Sequence, residues 1–170
     1  MDINKVRIVE DFPVPGIKFY DITTVLNDAD EFQRIFKELV EAAKKMRPDV
    51  IIALEARGYL FGPALALALN IPFAPIRKKG KLPYKTYQES YQLEYGMATI
   101  EIHVDAIKPG QRVLLFDDIL ATGGTATAAI NLIQKFNPQA ISVLFFLELA
   151  ALNGRAHIHN AEEIQSLAIV

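Results

Sequence analysis

The 170-residue sequence contains no cysteine, which excludes disulfides, thiolate catalysis and thiolate-bound metal, and agrees with a reducing compartment. It has little excess charge of either sign. A formal net charge of −2 supplies no basic field for nucleic acid and no polycationic face for a membrane surface. Long hydrophobic runs are missing too: the longest, Tyr59 to Ile71, is shorter than the ~20 residues that cross a bilayer. The opening residues, MDINKVRIVEDFP, carry acids and no apolar core, so a secretory signal is not expected. Repeats, low-complexity tracts and linkers are absent. What is present is 51% hydrophobic and 22% charged residues, the balance of a soluble globular protein. The length suits one domain with a proper core. A soluble, cytoplasmic protein is the expectation.

Asp28 to Met46 reads as an amphipathic helix, with Phe32, Ile35, Phe36, Leu39, Val40 and Ala43 on one stripe. Asp28 and Glu31 make a candidate capping box, and Pro48 ends the segment. Val50 to Leu54 is a short apolar run, the pattern of a strand buried on both faces. Arg57-Gly58 turns the chain into an apolar helix, Tyr59 to Leu69, closed by Asn70. Phe73 to Ile76 is the next strand, and Arg77 to Pro83 (RKKGKLP) reads as a basic loop. Thr99 to Val104 alternates like a half-exposed strand. Arg112 to Phe116 is a third buried strand, Thr125 to Phe136 a helix, and Ile141 to Leu147 a fourth buried strand. Strands alternating with helices predict an α/β fold: a single domain with a central, mostly parallel, twisted sheet flanked by helices. Ligands of such sheets bind beyond the carboxyl ends of the strands. Glu55 to Gly58 and Asp117 to Thr125 sit at two such ends.

The most informative segment is VLLFDDILATGGT, Val113 to Thr125. A buried strand delivers two adjacent carboxylates, and a loop with Gly123-Gly124 between Thr122 and Thr125 opens a helix. The glycines let backbone N–H groups converge, the threonine hydroxyls add donors, and the helix start adds about half a positive charge. That combination suits a phosphate dianion. Neither G-x-x-x-x-G-K-[ST] nor G-x-G-x-x-G occurs, which argues against a nucleoside triphosphate loop or a dinucleotide fold. The aspartates would repel phosphate; beside a phosphate seat they suit sugar hydroxyls or a Mg²⁺ bridge to other oxygens. A phosphorylated sugar bearing a second anionic group satisfies both demands. The alternative is that Gly123-Gly124 only makes a tight turn and the acids cap a helix.

This segment resembles the phosphoribosyl pyrophosphate signature of the type I phosphoribosyltransferases. The resemblance implies that Asp117 and Asp118 hold the ribose 2- and 3-hydroxyls. Ala121, Thr122, Gly123, Gly124 and Thr125 would cradle the 5-phosphate. Three further stretches are similar to the adenine-using branch of that family: Phe12 to Thr23 (FPVPGIKFYDIT), Glu55 to Gly62 (EARGYLFG), and Arg77 to Gly96, with RKKGKLP and SYQLEYG. They imply a base-side loop at about 12–23, a pyrophosphate loop, and a small mobile hood at about 77–103. Tyr20 departs from the pattern, since many relatives carry Arg before the Asp-Ile pair. The implied reaction joins adenine to the phosphoribosyl group of 5-phosphoribosyl 1-pyrophosphate, giving AMP and pyrophosphate.

Residue by residue, Lys18, Phe19 and Tyr20 would meet the base. Phe19 has a face to stack on a purine, or else belongs to the core. Arg57, in a glycine turn at a strand end, presents a planar fork to pyrophosphate oxygens, the alternative being a surface salt bridge. Lys78 and Lys81 would close over pyrophosphate with Tyr95, and Glu94 would act as general acid/base. Catalysis is then assigned to Glu94, Asp118 and Arg57, and Gly80 and Gly96 are candidate hinges. Mg²⁺ is the implied cofactor, held mainly by substrate, with Asp117 or Asp118 as the side chains able to contribute. His157 and His159 have no evident third ligand, so no metal site is expected there, and His103 reads as structural. The family implies a homodimer and small-molecule substrates, with no nucleic acid or membrane partner. The rivals are the same scaffold acting on hypoxanthine, guanine, xanthine or orotate, and a non-catalytic regulator that senses the phosphoribosyl donor.

Overall fold

The computed structural model describes residues 3–92 and 96–170. The chain gathers into two compact units, Met1–Glu38 and Leu39–Val170.

In the first unit, β1 (Arg7–Glu10) and β2 (Lys18–Asp21) form an antiparallel pair, with Val9 opposite Phe19 and Ile8 opposite Tyr20. This hairpin leaves no apolar signal in the sequence, because its strands are short and largely exposed. The short helix α1 (Thr23–Leu26) follows, and α2 (Ala29–Met46) starts one residue later than expected. Asp28 caps α2 by accepting the Glu31 amide at 3.1 Å. Its own amide bonds the Val25 carbonyl at 3.3 Å, so the return half of a capping box is replaced by a turn.

The second unit is built on a seven-stranded sheet in the order β5-β6-β4-β3-β7-β8-β9. Its strands are β3 (Val50–Leu54), β4 (Phe73–Lys78), β5 (Thr86–Gln92), β6 (Met97–His103), β7 (Arg112–Leu120), β8 (Ala140–Glu148) and β9 (Glu163–Ile169). From β4 to β9 all neighbours are parallel, whereas β6 runs antiparallel to β4 and β5 antiparallel to β6. The mostly parallel α/β sheet expected from the sequence is therefore present, with an antiparallel hairpin added at one edge. Among the described residues, two α-helices belong wholly to this unit: α3 (Gly62–Leu69), which ends at Asn70 in the left-handed region (φ 55°), and α4 (Gly124–Gln134).

Burial on both faces explains the unbroken apolar runs. Val50, Ile52, Leu54, Val113 and Leu115 pack in one core with Ala126, Ile130 and Ile133 of α4. The alternate residues Ile51, Ala53, Leu114 and Phe116 are equally buried, and Phe61 beside α3 stacks on Phe146 and tilts against Phe116, both at 5.9 Å. Each Val, Leu, Ile or Phe side chain among them contributes roughly 1.5–3 kcal/mol on leaving water.

Two expectations need correction. Arg77-Lys78 extends β4 rather than starting a loop. In β6 the supposedly exposed side is not exposed, for Glu101 is buried. Its carboxylate accepts the amides of Lys81 (2.9 Å) and Leu82 (3.0 Å) and side-chain bonds from Thr86 and Gln88, both 3.3 Å. Alternation showed the strand but not the ring of donors that makes a buried carboxylate tolerable. Among the described residues, no helix is long and apolar enough to cross a membrane.

Candidate active site

The chain runs from β3 to β4 on one side, then returns to place β7 on the other side of β3. The carboxyl ends of β3 and β7 thus meet where the strand order reverses, the position at which open parallel sheets bind ligands. Glu55 to Gly58 and Asp117 to Thr125 lie together there.

β7 continues through Asp117 and Asp118 to Leu120, longer than the apolar run suggested. Strand alternation separates the two acids: Asp118 is 3% exposed, while Asp117 keeps more accessible surface. The Asp118 amide donates to Asp117 Oδ1 at 2.9 Å. A Cβ at Gly58 would lie 3.1 Å from the Phe116 carbonyl and 3.2 Å from Asp117 Oδ1, so the absent side chain lets this turn press against β7. Arg57 is thereby brought to Asp118, with Nε 2.6 Å from Oδ2. Arg57 thus lines the pocket with Asp118 as its acidic neighbour.

Burial, then the neighbouring Asp118 charge, pushes the Asp117 carboxyl well above the usual carboxylate range. Asp118 is also raised by burial, against the pull of the Arg57 cation. Burial thus disfavours charge on both aspartates, and the Arg57 cation is aimed at Asp118.

After β7 the chain turns at Gly123 (φ 83°), which is the N-cap of α4, and Gly124 opens the helix. Gly123 carries no side chain to cap the first turn. Thr125 donates a long bond (3.4 Å) to the Tyr91 hydroxyl. The turn, Arg57 and both aspartates enclose one pocket of about 230 Å³, together with Ile119, Leu120, Ala126 and Phe145. Every residue expected to hold ribose or 5-phosphate, and Arg57, lines this cavity.

Other expected residues lie elsewhere. Lys78 sits at the end of β4 and donates its amide to Glu55 Oε2 at 3.1 Å, while Lys81 donates its amide to Glu101. Glu55 is further held by the Arg77 guanidinium at 3.2 and 3.3 Å. Glu94 and Tyr95 fall outside the described residues. Gly80 and Gly96 both have positive φ, 83° and 92°. In the first unit, Phe19 is half-buried and meets Phe12 edge to face at 5.1 Å. Lys18 lies 3.4 Å from Glu10, and Tyr20 takes its place in β2. Asp11 Oδ1 accepts the Gly16 amide at 2.6 Å, tying the Pro-rich turn back on itself.

Ile119, Leu120 and Phe145 also line the pocket, which their sequence does not reveal, since apolar residues beside a motif look like core. Among the described residues, no group of three or more His, Asp or Glu side chains could hold a metal ion.

A sequence profile of the phosphoribosyl transferase domain matches residues 21–166. The adenine phosphoribosyltransferase of Desulfitobacterium hafniense is 47% identical over 163 residues, covering 95% of this chain and 94% of its own. The chain belongs to the adenine phosphoribosyltransferase family. A crystal structure of the Thermoanaerobacter pseudethanolicus adenine phosphoribosyltransferase superposes with a TM-score of 0.93 at 44% identity, covering 99% of this chain and 98% of that one. That of the Saccharomyces cerevisiae adenine phosphoribosyltransferase, solved with an imino-altritol bisphosphate and adenine, has a TM-score of 0.89 at 37% identity, covering 96% and 94%. The phosphoribosyltransferase fold expected from the Asp-Asp and Thr-Gly-Gly-Thr segment is therefore established.

Proposed function

We propose that this chain transfers the 5-phosphoribosyl group of 5-phosphoribosyl 1-pyrophosphate to adenine, releasing AMP and pyrophosphate in purine salvage. The observation that carries the reading is the pocket at the β3/β7 switch, where two carboxyls, an arginine and an uncapped helix start line one small cavity. The names of relatives at 47% and 44% identity direct it to adenine.

The 5-phosphate sits in Ala121 to Thr125, where helix amides and threonine hydroxyls donate to it, each bond to a charged group contributing roughly 1.5–3 kcal/mol. Asp117 and Asp118 accept the ribose hydroxyls. Arg57, Lys78 and Lys81, with Tyr95, hold pyrophosphate. By resemblance, Lys18, Phe19 and Tyr20 serve the base, with Phe19 as the stacking face.

In the reaction the sugar C1–O bond to pyrophosphate breaks and a C1–N bond to adenine forms. The sugar passes through an oxocarbenium-like state, so positioning and charge do most of the work. The nitrogen of adenine loses its proton as it attacks, and Glu94 takes it. Asp118 lies beside the developing positive charge. Mg²⁺ would be held mainly by the substrate, with the two carboxyls that line the pocket as the side chains able to contribute. Asp117 and Asp118 would face the ion, which would offset the charge of pyrophosphate. The domain assignment that accompanies this reading is one phosphoribosyltransferase domain over residues 1–170, with the base-side loop and hood as its appendages. The chain acts in the cytoplasm as a homodimer, with no nucleic acid or membrane partner. Large apolar side chains left outside the core, Leu67 at 83% exposed foremost, suit such an interface.

The deciding experiment is a nucleotide-product assay with the donor, Mg²⁺ and a panel of adenine, hypoxanthine, guanine, xanthine and orotate. AMP from adenine alone supports the assignment. A product from another base in preference to AMP overturns the base choice, and no product from any base overturns the enzyme reading.

A further inference from the structure

The turn between β8 and β9, far along the chain from the Asp-Asp motif, packs directly on the proposed phosphate seat. Asn153 turns left-handed (φ 50°) and Gly154–His157 forms one tight helical turn. A Cβ on Gly154 would fall 2.0 Å from the Ala121 carbonyl oxygen and 2.9 Å from the Gly123 amide nitrogen. A Cβ on Gly123 would fall 2.4 Å from the Gly154 carbonyl oxygen. Each glycine exists where it does because the other backbone occupies the space a side chain needs.

Two hydrogen bonds lock the contact. His157 Nδ1 lies 3.0 Å from the Thr122 carbonyl oxygen. A carbonyl only accepts, so Nδ1 carries the proton in this bond. The Thr127 hydroxyl, one turn into α4, donates back to the His157 carbonyl at 2.9 Å. The turn itself is anchored away from the pocket. Arg155 Nε donates to Glu148 Oε1 at 3.0 Å, Arg155 Nη1 donates to the Ile164 carbonyl at 2.7 Å, and the Ser166 hydroxyl donates to Glu148 Oε2 at 2.7 Å. A rigid link thus runs from β8 and β9 to the middle residue of the seat.

We infer that His157 and Gly154 are positioning residues for the phosphate seat: by holding the Thr122 carbonyl and the Gly123 backbone, they fix the direction of the amides that meet the 5-phosphate. The inference rests on the proposed phosphate role of Ala121 to Thr125. His157 is exposed and contributes little to the core, so its loss separates positioning from folding. A seat with a released Thr122 carbonyl samples other peptide orientations and binds a phosphate monoester less well, while the base is untouched.

The test compares the parent with His157→Ala, His157→Asn and Gly154→Ala. Asn places an amide donor close to where Nδ1–H stands. Loss of one positioning hydrogen bond should raise the Michaelis constant for the phosphoribosyl donor about three- to tenfold in His157→Ala. The same variant should weaken ribose 5-phosphate binding in calorimetry by a similar factor. The adenine constant, kcat and melting temperature should stay at the parent values, and His157→Asn should restore most of the loss. Gly154→Ala should weaken ribose 5-phosphate further. An unchanged donor constant in His157→Ala overturns the inference. So does a loss shared equally by donor constant, adenine constant and melting temperature that Asn does not restore. Failure of the parent itself to bind ribose 5-phosphate would instead count against the phosphate seat.

Discussion

Asp117 is a carboxyl placed where its charge is disfavoured: burial and the Asp118 charge raise its proton affinity. An acid with a raised folded-state pKa contributes stability that is present below its unfolded value, about 3.9, and lost as pH rises through the folded value. Asn cannot lose that proton. Asp117→Asn should therefore melt above the parent at pH 8, with the gap closing towards pH 4. In a chain of this length each kcal/mol moves the midpoint by about 2–4 °C. Scanning fluorimetry across that range checks it, and equal midpoints at pH 8 would contradict the burial argument. Asp118→Asn should lower kcat by roughly 10²-fold or more, by removing a charge that works in the transition state rather than in folding. Single-turnover rates with saturating donor measure this. At Gly123, φ of 83° and a Gly154 carbonyl standing where a Cβ would go leave no room for a side chain. Gly123→Val should abolish calorimetric binding of the donor while circular dichroism keeps the α/β signature.

Among the elements, β6 shows how a polar residue organises a segment. Glu101 gathers the amides of Lys81 and Leu82, so the basic stretch after β4 is shaped by a carboxylate two strands away in sequence. Burial raises its pKa, but those amides and the Thr86 hydroxyl outweigh it and the net shift is downward. The stability it contributes is thus present above the unfolded carboxylate value and lost as pH falls through the folded one. Glu101→Leu leaves two amides without their acceptor and should cost about 2–4 kcal/mol at pH 7. Thermal melts of the parent and variant should differ most at pH 7 and converge below about pH 4. A constant gap would mean that packing, not charge, is lost. Helix α4 and the β3, β7 and β8 strands were legible because each is an apolar run of the right length between turn residues. β5, β9 and the β1-β2 hairpin were not, because strands exposed on an edge or in a lone hairpin carry no apolar signature.

At the scale of the whole molecule, a ligand that binds only the folded chain raises its stability by mass action. At one hundred times its dissociation constant, the donor with Mg²⁺ should add about 2.7 kcal/mol. The midpoint should rise several degrees, whereas adenine alone at the same excess tests the base-side loop separately. A shift with hypoxanthine but none with adenine would redirect the base assignment. The order of apolar runs, the Asp-Asp pair and the Thr-Gly-Gly-Thr turn were decided by the sequence alone, since each is local: periodicity, adjacent charges and glycine each act within a few residues. Arg57 stood out just as locally, through its own glycine turn, as a candidate for pyrophosphate. Only the tertiary structure decided that Arg57 reaches Asp118, that Glu101 is buried, and that Gly154 and His157 brace the loop around Thr122. Those contacts join residues tens of positions apart, and a histidine two residues from another looks the same on paper whether it faces water or a carbonyl.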